Sequence, residues 1–153
     1  MKKETKRAIR WGGVFLFVIY LLLLVYFLFF SEEYGRAADI EPSFRYNLKP
    51  FLEIHRFWKY REVVGEFSFL MNVAGNVVGF VPFGLILPII IPQMKNGFLI
   101  VLSGFMLSLC VETIQLVTKV GCFDVDDLIL NTFGAFLGYL GFLLLDRIRR
   151  KYI

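Results

Sequence analysis

Histidine appears once in this 153-residue chain and cysteine twice, and charged residues make up only 20% of it. Each shortage removes a class of protein. His55 alone cannot build the paired-histidine zinc helix of a metalloprotease, nor serve Ser108 as an intramembrane base. Cys110 and Cys122 form no CxxC pair, so neither a zinc ribbon nor a disulfide framework is expected. No Lys or Arg interrupts the long apolar runs, so no arginine cluster inside them can grip a phosphate. What the chain has in excess is apolar surface: 58% hydrophobic residues, 18% aromatic, and a mean hydropathy of +0.66. A soluble domain of this size leaves too much of its area wet to hide that surface. A bilayer removes the difficulty.

Four runs are long enough to cross one: Trp11–Phe30, Phe69–Ile91, Gly97–Val117 and about Asp127–Leu145. The expected fold is all-α, a single polytopic membrane domain with a longer loop after the first helix. The first run is preceded by Lys2, Lys3, Lys6, Arg7 and Arg10 and followed by no small-residue cleavage site, so it reads as an uncleaved helix. The net charge of +4 does not point to nucleic acid, because its basic residues gather beside apolar runs. With four spans, those five residues, Lys95, and Arg147, Arg149, Arg150 and Lys151 fall on one side. That side is expected to be cytoplasmic. The expected location is therefore the cell membrane, multi-pass, with both termini inside and the loop 31–68 outside. In that loop Phe51, Ile54 and Trp58 have helical spacing, compatible with a short amphipathic helix at the interface or with irregular chain.

The polar residues of the spans carry the next inference. Asn72 and Asn76 share a face of the second run, Glu112 and Gln115 of the third, and Asp127 and Asn131 open the fourth. At about 1.5 Å per residue, the topology puts all six within the outer third of the bilayer. Carboxylates and amides there turn away from lipid, so one outward-facing polar pocket is expected. On the fourth helix Asp124, Asp127, Asn131, Gly134, Gly138 and Gly141 form one stripe. Asp126 lies about 100° from Asp127, off the stripe, and is expected to matter less. Gly134/Gly138 and Gly75/Gly79 are GxxxG pairs, fit for internal packing or for a homo-oligomer. Pro82 interrupts the second span, as a tolerated kink or as part of a binding site. Three carboxylates cannot all stay ionised together without compensation. Protonation, a divalent cation, or a loop base, Arg45 or Lys49, would supply it. Glu112 is expected within hydrogen-bond reach, directly or through one water, of Asn76 or Asn131.

Four stretches, YNLKPF at 46–51, NVVGFVPFGLILP at 76–88, ETIQ at 112–115 and DVDDLILNTFGAFLG at 124–138, resemble the VanZ-like family. Asn76, Pro82, Phe83, Gly84, Glu112, Gln115, Asp124, Asp127, Asn131 and Gly134 look like its signature, and Asn47 and Lys49 fall in the first stretch. The likeness spans about 46–140. It implies a bacterial cell-envelope protein associated with glycopeptide (teicoplanin) resistance, with no reaction assigned. The leading expectation is a non-enzymatic protein that binds an amphiphile, an outer-leaflet lipid-linked precursor or a glycopeptide, without a cofactor. One alternative is a membrane enzyme in which Glu112 and Asp127 serve as acid and base, or hold a divalent cation with Asp124, Asn131 and Gln115 as further oxygen ligands. A small transporter is the other.

Overall fold

The computed structural model describes residues 3–30, 44–60 and 66–152. The loop segment 31–43 and the side chain of Asn72 lie outside the described residues. The chain is a four-helix membrane bundle: α1 (Lys3–Phe30), α3 (Glu66–Ile90), α4 (Gly97–Thr118) and α5 (Val125–Tyr152) are all long and apolar enough to span. Between α1 and α3 lie a strand, β1 (Arg45–Asn47), and a helix, α2 (Leu52–Lys59). A second short strand, β2 (Cys122–Asp124), precedes α5.

Local chemistry sets the ends of these elements. Pro92 begins a 3₁₀ turn between α3 and α4. The side chain of Asn96 accepts the Phe98 N–H (2.9 Å) and starts α4 with one orphan donor satisfied. Lys119, left-handed at φ 57°, closes α4 by turning its N–H back to the last helical carbonyls. The chain then runs parallel to β1, with Arg45 opposite Cys122, Tyr46 opposite Phe123 and Asn47 opposite Asp124. Helical periodicity gives no hint of this pairing.

The bundle is organised about α5 against α3. A Cβ at Gly134 would land on the Val77 carbonyl, one at Gly138 on the Val81 carbonyl, and one at Gly84 on the Ala135 carbonyl. The two backbones touch, and only hydrogen atoms fit between them. Gly134 and Gly138 thus pack internally. Beside this seam Phe83, Leu87, Ile100 and Ala135 form the core, flanked by Phe17, Tyr20, Leu107 and Tyr139. The first helix is the outlier. It touches the bundle through Phe17 on Phe83 and through the Gln115 side-chain amide donating to the Leu28 carbonyl (3.1 Å), and Leu24 is its one buried apolar residue among those described. At the basic end Asp146 is buried and ion-paired with Arg149 and Arg150.

The seam predicts an asymmetry among glycines. Gly134→Leu and Gly138→Leu should each cost at least about 3 kcal/mol, because a backbone carbonyl cannot swing aside as a side chain can. Gly12→Leu, with open space around it, should be near neutral. Thermal melting in detergent checks this; a Gly134→Leu protein melting with wild type would mean that the backbones do not touch.

Candidate functional site

At the bundle end opposite the basic tails, α3, α4 and α5 meet the segment 44–60. Four carboxylates gather there, and neutral donors meet each of them. Asp124 immediately precedes α5 and its Oδ1 accepts the Asp126 N–H (2.8 Å), a helix N-cap bond. Both of its oxygens also receive the Asn47 amide, at 3.2 and 3.3 Å. Burial pushes the Asp124 carboxyl above its ordinary range, while these two bonds pull it back down. Glu112, 2% exposed, accepts the Asp124 N–H at 3.0 Å. Asp127 accepts the Asn76 amide from α3. Asn131, 1% exposed, donates to Ser108 Oγ at 2.9 Å.

Asp126 does most to hold the loop. It is 1% exposed and accepts the Phe51 N–H, the Glu53 N–H (2.8 Å) and the Ile54 N–H (3.2 Å). These are the free donors at the start of α2, whose own first flanking residue, Phe51, is left-handed and offers no side-chain cap. One residue of α5 therefore caps another helix more than seventy positions away. The expectation that Asp126 stands aside does not hold. Phase on α5 alone counts distance from the stripe. It cannot see that α2 lies on the other side.

Four further expectations meet a different geometry. Asp124 belongs to β2, not to α5, so it reaches the site as a cap rather than as part of the helical stripe. Among the described residues Glu112 has no direct hydrogen bond to Asn76 or Asn131, which bond Asp127 and Ser108 instead. Gln115 turns to α1, away from the acids. Arg45 and Lys49 are both exposed, and among the described residues neither ion-pairs with the cluster. Backbone N–H groups and amides take the place expected of a base. Among the described residues, no three His, Cys, Asp or Glu side chains are grouped to hold a metal ion. Asn47 does reach the acids. The amphipathic segment is a helix, α2, whose Glu53 pairs with Arg56 at 2.6 Å.

The architecture defines a multi-pass, all-α membrane protein whose end opposite the basic tails is closed by a hydrogen-bonded acid and amide network. The chain matches the family model VanZ/LLP1 over residues 17–146 and belongs to that family. It is 33% identical over 128 residues to the protein VanZ of Enterococcus faecium, an alignment that covers 80% of this chain and 68% of that protein. No solved structure matches.

The network predicts an order of damage that sequence phase reverses. Asp126→Ala strands three part-buried donors and should cost at least about 2 kcal/mol. Asp126→Asn keeps one acceptor and should fall between it and wild type. Limited proteolysis within 44–60, read beside thermal melting, measures the effect. Unchanged protease resistance in Asp126→Ala would show that α2 is held by something else.

Proposed function

We propose that this protein binds an amphiphile at the outer leaflet of the bacterial envelope and thereby lowers susceptibility to teicoplanin. The acid and amide network is the outward-facing end of the binding region. The supporting observation is the separation of the two ends. Arg7, Arg10, Lys95 and Arg149 line one cavity at one end, and the buried Glu112, Asp124 and Asp126 gather at the other. Positive charge is retained on the cytoplasmic side, so the acid end, with the loop 31–68, faces out and both termini face in. The relation to VanZ directs the phenotype toward glycopeptides. The antibiotic itself acts outside the cell, where such an end would meet envelope lipids.

Cys122 provides a native reporter of orientation. It is a free, exposed thiol at the acid end, whereas Cys110 lies on the apolar surface of α4. With Cys110→Ala as background, a membrane-impermeant maleimide added to intact cells should label Cys122, while a Lys151→Cys protein lacking both native thiols should need permeabilised cells. Desolvation, and next the Asp124 carboxylate, raise the Cys122 thiol above its ordinary range. Less thiolate is present at neutral pH, so labelling should lag a free thiol near pH 7 and catch up as pH rises. Labelling of Cys122 only after permeabilisation would reverse the orientation.

The phenotype is tested by expression in a glycopeptide-susceptible host. Wild type should raise the teicoplanin concentration needed to stop growth. An Asn76→Ala/Asp127→Ala double variant present at equal level in the membrane should lose at least half of that rise on a logarithmic scale, as expected when a buried pair worth roughly 2 kcal/mol is removed. No rise with wild type would sink the resistance reading.

A further inference from the structure

The acid network closes the bundle from above, yet just beneath it the wall between α1 and α3 is open. A cavity of about 270 Å³ lies there, lined by Leu24, Gly79, Phe80 and Pro82, with Leu23, Phe27 and Val78 on its rim. The rim residues are among the exposed hydrophobics of the bundle surface, which in a membrane means that they face lipid. An amphiphile can therefore reach the cavity from the side, through the bilayer.

The interior is not simply greasy. Asn131 and Tyr20 both line it, and each holds a buried oxygen with no hydrogen-bond partner, Asn131 Oδ1 and the Tyr20 hydroxyl. Asn131 is 1% exposed, and its amide nitrogen is committed to Ser108, so its carbonyl oxygen is left as an acceptor. Nearly all buried polar atoms in folded proteins are paired, and those that are not ask for an explanation. Pro82, also in the wall, cannot donate to the Val78 carbonyl one turn earlier. Two unpaired side-chain oxygens thus sit in residues of an apolar wall, closed off from water-sized solvent and within reach of a ligand only after a side-chain shift.

Those atoms define the ligand. A group that donates to Asn131 Oδ1 and pairs with the Tyr20 hydroxyl is itself a hydroxyl or an amide. A phosphate or carboxylate would meet the Asn131 acceptor with an acceptor, and no lining residue carries a positive charge to hold it. An ammonium would find no lining carboxylate to pay for its desolvation. The volume falls at the lower end of small-ligand pockets, enough for one head group and the start of a chain. The rest of the chain leaves over the exposed rim into lipid. We infer that the cavity between α1 and α3 binds the uncharged hydroxyl or amide head of a lipid that arrives laterally from the bilayer. The inference rests on the amphiphile-binding reading above and narrows it to a neutral head and a side route. Asn76 lines the cavity and bonds Asp127, so it joins this site to the acid network.

Photolabelling of the full-length protein in nanodiscs tests this. The probes are a diazirine-tagged diacylglycerol, whose head is a hydroxyl, and a phosphatidic acid with the same tagged chains. The diacylglycerol should label the segments 20–28 and 75–82 at least about fivefold more than the phosphatidic acid, the factor that one net hydrogen bond is worth. Gly79→Leu should abolish most of that labelling. A Cβ there meets nothing nearer than Leu24 at 4.0 Å, so the new side chain fills the cavity while the Asn131–Ser108 bond stays intact. Tyr20→Phe, which removes one oxygen only, should reduce labelling about fivefold. Equal labelling by both probes, or undiminished labelling in a folded Gly79→Leu protein, overturns the inference. Labelling as expected in a protein that leaves teicoplanin susceptibility unchanged would sink the resistance reading alone.

Discussion

Everything at the acid end depends on two backbones lying in contact along Gly134, Gly138 and Gly84. In lipid no hydrophobic force pulls helices together, so close approach and dispersion must do it. Small residues permit that approach, closest along the α3–α5 seam, and the seam sets the relative height of α3 and α5. That height places the Asn76 amide against the Asp127 carboxylate and Ala135 beside Ile100 and Phe83 in the core. A bulkier stripe would separate the helices and leave those polar groups facing hydrocarbon.

The carboxylates illustrate how a membrane protein can bury acids without buried bases. An isolated charge in a low-dielectric interior is strongly disfavoured, and an ion pair would solve one desolvation problem by adding another. Here the partners are neutral dipoles already present and already in need of acceptors: the orphan donors of two helix starts. Asp124 satisfies its own helix, and Asp126 satisfies α2. The same bonds lower the cost of burying the acids and pin an eight-residue helix to the bundle, a length that would be marginal alone. Structure and electrostatics are therefore one arrangement.

The bundle joins two environments of different character. Its acid-rich end is tied together by hydrogen bonds from backbone N–H groups and amides. Its flank, where α1 touches the rest only lightly, is open to lipid and contains unpaired acceptors.

Four spans, the basic end and the glycine stripe were legible from residue order alone, while the first and last helices run on through the charged tails to Lys3 and Tyr152. Hydropathy and charge are summed along the chain, and a bilayer reads them the same way. The gathering of Asn76, Glu112, Asp127 and Asn131 at one depth also followed, because length and rise per residue fix height. Which of them bond each other did not follow. Height says nothing about azimuth, and the Asn76–Asp127 and Glu112–Asp124 pairs depend on how three helices are rotated about one another. Least visible were β1, β2 and the role of Asp126. A three-residue parallel pairing between segments 77 positions apart, and an aspartate capping a helix across the loop, have no periodic signature. Chain order specified what must be buried and how deep, and only tertiary packing decided which donor each acid would meet.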